Sequence, residues 1–193
     1  MTRLVTLILL LQAALIFDLK AHPVPDIPVR AYFDGQGTME IRIEVDPRSY
    51  EADPEAFEYY LKSDIEKMDP TAVEAMKSKV KTLLDQRLRL HFEPEGAKIP
   101  ELKWEFRKIG DEPWEAPTDE TSLVGVTKFK LTDETSYRVE SLKLTEKSLG
   151  IPMNVVFKNF FNGVQAERYA VLFPGETSFA LDLKNTVAGV SPK

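Results

Sequence analysis

Residues 155–172, VVFKNFFNGVQAERYAVL, carry two apolar runs on either side of Asn162-Gly163. Asn-Gly is the dipeptide that best accepts the positive φ angles of a two-residue hairpin turn, so the runs should fold back on each other as antiparallel strands. Such a turn sets the register: Phe161 opposes Val164, Lys158 meets Glu167 and Val156 meets Tyr169. Val155, Phe157, Ala170 and Leu172 then share the more apolar face, and the opposite charges of Lys158 and Glu167 support the alignment. Phe160 and Tyr169 fall on the less apolar face. Exposed rings there are candidate ligand-binding residues, able to stack on a sugar or dock a protein partner; the competing reading is that helices cover them.

The same two-residue period recurs along most of the chain. Leu88, Leu90 and Phe92 alternate with Arg87, Arg89 and His91, and Leu102, Trp104 and Phe106 alternate with Lys103, Glu105 and Arg107. Toward the N-terminus, residues 29–33 and 39–46 read as half-buried strands, with Met39, Ile41, Ile43 and Val45 on one side. Asp34-Gly35-Gln36-Gly37 between them supplies a turn that tolerates positive φ. Residues 123–131 and 137–144 also look extended, but their apolar positions change parity, which suggests bulges or edge positions. A last strand, with Phe179, Leu181 and Leu183 alternating, follows the Pro174-Gly175 turn.

Residues 53–85 break this period. Asp53-Pro54 and Asp69-Pro70 each set a capping side chain ahead of a proline at the first helical position, where a missing N–H is harmless. Phe57, Leu61, Ile65 and Met68 would form the apolar stripe of one helix, and Val73, Met76, Val80 and Leu83 that of a second. Short strands with turns between them, and helices confined to one insertion, predict a mainly β fold. The expected architecture is an antiparallel β-sandwich, Ig-like or related, with a two-helix insertion after the second strand; a partly open barrel is the alternative.

Arg3 followed by a nearly charge-free apolar run over residues 4–17 reads as a secretory signal ending at Ala21. The run falls short of the about 20 residues that a membrane helix wants, so the mature chain is expected to carry no transmembrane span. Residues 22–184 form the expected single domain and 185–193 a flexible tail, placing the protein in the periplasm or outside the cell. The absence of cysteine excludes disulfides, thiolate metal sites and a cysteine nucleophile. A net charge of −6, with no long basic cluster, argues against nucleic acid as a partner.

Few constellations suggest chemistry. Cleavage after Ala21 would expose His22, whose amine and ring nitrogen could chelate copper with His91, the chain's other histidine, as a further ligand. Asp111, Glu112, Glu115, Asp119 and Glu120 could offer oxygens to calcium, although their spacing matches no EF-hand and a solvated loop explains them. A carboxylate pair for glycoside hydrolysis cannot be recognised without geometry. There is no Gly-x-Ser-x-Gly elbow, no phosphate-binding glycine loop and no dinucleotide fingerprint.

Three stretches, AHPVPDIPVR (21–30), IRIEVDPR (41–48) and LFPGETSF (172–179), resemble the extracytoplasmic N-terminal region of some bacterial membrane proteins of the HupE/UreJ type. The membrane-spanning helices that define that family are not in this sequence. The resemblance therefore implies an envelope β-domain, with a link to metal handling and no transport activity or functional residue carried over. The resulting expectation is a non-catalytic envelope domain that binds an unknown protein, peptide or glycan, with no cofactor; a periplasmic copper-binding protein is the alternative.

Overall fold

The protein's computed structural model describes residues 26–93, 101–108, 121–130 and 136–182. The expected signal, His22, the acidic loop from Asp111 to Glu120 and the tail over 185–193 lie outside the described residues. Ten strands and two α-helices are described: β1 (Asp26–Phe33), β2 (Thr38–Val45), α1 (Lys62–Lys67), α2 (Pro70–Asp85), β3 (Leu88–Glu93), β4 (Lys103–Lys108), β5 (Thr121–Lys130), β6 (Ser136–Ser141), β7 (Asn154–Phe161), β8 (Val164–Gln165), β9 (Ala170–Leu172) and β10 (Leu181–Asp182).

Strands β1 and β2 form the expected hairpin, with Phe33 opposite Met39 and Val29 opposite Ile43. Its turn is held by Asp34, whose Oδ1 accepts from the backbone N–H of Gln36 at 2.7 Å and of Thr38 at 3.0 Å. The larger sheet runs β4-β5-β2-β1-β7-β8, with β9 following β8 along the free side of β7. The smaller runs β10-β6-β3. They form two layers of a β-sandwich-like fold, with no closed barrel among the described residues.

One pairing departs from the antiparallel expectation. Strand β1 runs parallel to β7, from Asp26 beside Asn154 to Phe33 beside Phe161. This brings the two hairpin tips together, and the N–H of Asn162 donates to the carbonyl of Phe33 at 3.0 Å. Alternation then aims Ile27, Val29, Ala31 and Phe33, Met39, Ile41, Ile43 and Val45, and Val155 and Phe157 into one shared core.

The Asn162-Gly163 turn forms as expected, with positive φ at both residues and Phe161 opposite Val164. Beyond it the register differs from the sequence reading. Phe160 pairs with Gln165, but Phe157 pairs with Ala170 and Val156 with Val171, so Lys158–Glu167 and Val156–Tyr169 are not partners. The returning strand carries two extra residues between β8 and β9. An even shift preserves the facing, so Val155 and Leu172 still meet in the core.

Strand β5 carries no bulge. It pairs without a break from Lys130 opposite Thr38 to Leu123 opposite Val45, between β2 and β4. Its parity change arises because Leu123 and Val124 are both fully buried, on opposite faces of an interior strand.

The helical insertion is half as expected. Asp69 caps α2 by accepting from Thr71 N–H at 2.8 Å, and Met76, Val80 and Leu83 are buried. The first expected helix is broken into a 3-10 turn (Pro54–Ala56), an extended stretch and the short α1. The cause is Arg48, whose Nη1 takes the Phe57 carbonyl at 2.7 Å and whose guanidinium lies 3.5 Å from the centre of the Tyr59 ring. A carbonyl engaged in this way does not serve a helix, and Phe57 and Leu61 are left exposed.

Arg87 is a second correction. Expected on the polar side of β3, it is instead only 2 % exposed, with Nη2 donating to the carbonyls of Leu149 and, at 3.3 Å, of Ile151. Burial pushes its pKa down, because a desolvated cation is disfavoured.

The two layers are joined by Tyr137 of β6, which is fully buried. Its ring lies 5.6 Å from Phe92 and 5.2 Å edge-on from Phe157, and its hydroxyl donates to Asn159 Oδ1 of β7 at 2.7 Å. Replacing Tyr137 by Phe should keep the ring packing but leave a buried amide oxygen unpaired. Urea denaturation should show a loss of about 1–3 kcal/mol; an unchanged midpoint would mean that the inter-sheet hydrogen bond contributes nothing.

Candidate binding surfaces

The side chains singled out from sequence do not converge. His91 lies on the outward side of β3, and its Nε2 meets Glu140 Oε2 of β6 at 2.6 Å. Among the described residues no three His, Cys, Asp or Glu side chains gather in a way that could hold a metal ion. No helix among them is long and apolar enough to cross a membrane.

Phe160 is not an exposed ring. It is 8 % exposed and stacks on Tyr32 of β1 with centroids 4.7 Å apart, and the guanidinium of Arg42 lies 4.4 Å from the centre of the Tyr32 ring. This begins a row across the outer face of four strands, Phe160, Tyr32, Glu40 and Lys128, each paired with the next. Glu40 accepts from Arg42 Nε at 2.5 Å and from Lys128 Nζ at 2.6 Å, and Arg30 meets Glu44 at 2.9 Å farther along. Ion pairs and a closed ring stack thus occupy this face, leaving little apolar surface there for a partner.

Tyr169 behaves differently. The two extra residues before β9 carry it off the partner expected for it, and it is 55 % exposed. Val171 and Phe173, at the alternate positions beyond it, are 43 % and 58 % exposed. Among the described residues β9 pairs only with β7, so Val171 lies on an edge strand, with Tyr169 just before it and Phe173 just after it. The segment from Tyr169 to Phe173 holds no charged or polar side chain apart from the tyrosine hydroxyl. Sequence reasoning singled out Tyr169 but passed over Val171 and Phe173. The uninterrupted apolar run 169–173 was the available signal.

A second surface is a half-open cleft of about 300 Å³ between the layers, near the β4 edge. Ile43, Gly125 and Trp104 stand side by side across β2, β5 and β4. Because Gly125 has no side chain, the Trp104 ring lies directly over it; a Cβ there would come within 2.7 Å of the ring. Ile43 and Trp104 line one side of the cleft, and Leu88 and Leu90 of β3 with Leu84 of α2 line the other. No family model matches this chain, and a search of curated proteins finds no match either.

The Glu40 cluster gives the outer face a pH signature. Burial opposes its charge, but the hydrogen bonds from Lys128 and Arg42 outweigh that and hold its carboxyl below the ordinary value of 4.5. A depressed folded pKa adds stability that is complete above the unfolded value and is lost as pH falls through the folded one. Glu40→Gln should therefore lower stability by about 1 kcal/mol at pH 7. Denaturation curves of the two proteins should converge in acid below pH 4.5; a pH-independent gap would contradict the assignment.

Proposed function

We propose that this chain is an exported, non-catalytic envelope domain that recognises an extended segment of a partner polypeptide by strand addition at β9. The observation that carries the reading is the exposed stripe of Val171 on the edge strand β9 and Tyr169 and Phe173 to either side of it, with no charged side chain between them. Bare edges invite pairing with foreign strands, and proteins ordinarily blunt them with lysine, proline or a bulge that twists the edge away. Here the two extra residues precede the strand and Pro174 lies beyond it, so neither device falls within Ala170–Leu172, and among the described residues no second strand pairs with it.

Strand addition explains how such a short element can bind. Backbone hydrogen bonds supply affinity for any sequence, and alternate side chains supply specificity. Covering one Val or Phe side chain is worth about 1.5–3 kcal/mol. A polypeptide fits this stripe better than a glycan, because the residue between the two rings is the aliphatic Val171, which cannot hydrogen-bond sugar hydroxyls. The likeness of residues 21–30, 41–48 and 172–179 to HupE/UreJ-type extracytoplasmic regions supports an envelope location for this recognition.

Selection of a random peptide library on the purified protein should return extended peptides with alternating apolar residues. Val171→Lys, which places a charge on the stripe, should weaken them at least about tenfold without altering the melting temperature. Peptides that bind Val171→Lys as tightly as wild type, or a selection that returns none, would overturn the reading. So would sedimentation showing a dimer that Val171→Lys dissolves, since the edge would then serve a second copy.

A further inference from the structure

We infer that the cleft between β3, β4 and the end of α2 is a binding site for a small hydrophobic cation, an aryl- or alkylammonium compound. Its volume of about 300 Å³ suits a molecule of one ring and a short chain. Leu88, Leu90 and Leu102 supply apolar wall, and Trp104 adds an aromatic one. The position of Trp104 is built into the sheet, because its ring occupies the space that any side chain at residue 125 would fill.

The mouth decides the ligand's charge. It carries Lys81, Asp85 and Glu101. Lys81 Nζ already lies 3.6 Å from Glu101 Oε1, whereas Asp85 makes no ion pair or hydrogen bond among the described residues. Asp85 is also the last residue of α2, and the last turn of that helix holds no basic side chain. A helix C-terminus bears partial negative charge, so a carboxylate there is repelled by its own helix. A cation at the mouth relieves both, and an indole wall attracts it through its ring face. The chain's net charge of −6 also favours a cation at a distance. This site lies toward the opposite edge of the larger sheet from β9, so it is independent of peptide recognition.

Three probes of nearly one shape separate charge from size: phenethylamine, phenethyl alcohol and hydrocinnamate. In a Trp114→Phe background Trp104 is the remaining tryptophan, and its emission reports the cleft. Phenethylamine should give a saturable blue shift, with binding about fivefold weaker for the alcohol and weaker again for the anion. Asp85→Asn, an exposed substitution, should remove most of the amine's advantage. Amide NMR shifts at Leu88, Leu90 and Leu102 should saturate with the same dissociation constant, which keeps the test valid should Trp114→Phe fold poorly. Equal binding of the three probes, no effect of Asp85→Asn, or no saturable change at those amides would each overturn the assignment.

Discussion

The architecture depends on closing two sheets over one another, and the contact that does this most directly is Tyr137 against β7. Its ring reaches Phe33 and Phe157 across the core and stacks on Phe92 of the neighbouring strand β3. Its hydroxyl would be expensive to bury alone, since a polar group removed from water without a partner forfeits its hydration. Asn159, an amide on the inward face of β7, meets that need at 2.7 Å. The pair therefore fixes which residue of the smaller sheet faces which residue of the larger. Apolar packing alone tolerates sliding; a hydrogen bond in the core does not.

The parallel pairing of β1 and β7 follows from the same closure. Strand β1 is flanked on both sides, so its inward residues Ile27, Val29 and Ala31 are fully shielded. With β1 and β2 taken into the interior, one long edge of the sheet falls to the short strands β8 and β9. The edge that remains is the apolar stripe, and its exposure is a consequence of where β7 runs. At the other side of the sheet, Gly125 lets Trp104 lie flat and keeps a cleft open beneath the smaller layer. Both surfaces thus arise where a sheet ends, while its charged outer face is engaged with itself through Glu40, Arg42 and Lys128.

Much of the local structure was legible from residue spacing. The period of two placed β1, β2, β3 and β4, the Asn162-Gly163 dipeptide placed its turn, and Asp69-Pro70 with the stripe of Met76, Val80 and Leu83 placed α2. These succeed because each depends on side chains close in sequence. The failures share the opposite cause. Phe57, Leu61, Ile65 and Met68 have helical spacing, yet Arg48 captures the Phe57 carbonyl from outside the segment. Phe160 and Tyr169 look alike in an ideal hairpin, but the irregularity between β8 and β9 separates a stacked ring from an exposed one. Arg87 has the parity of a surface residue, yet in the fold it is buried with Nη2 on the carbonyls of Leu149 and Ile151, far along the chain.

By itself, then, the order of residues determined that the chain is mainly β, where its turns and its long helix lie, and that it has no cysteine thiol. Folding in three dimensions decided the rest: a parallel neighbour for β1, an edge position for β9 among the described residues, and a tryptophan laid across a glycine beside a cleft. The division has a physical reason. Alternation and turn propensity are properties of neighbouring residues, whereas exposure at an edge and the shape of a cleft depend on strands that meet only after distant segments have packed.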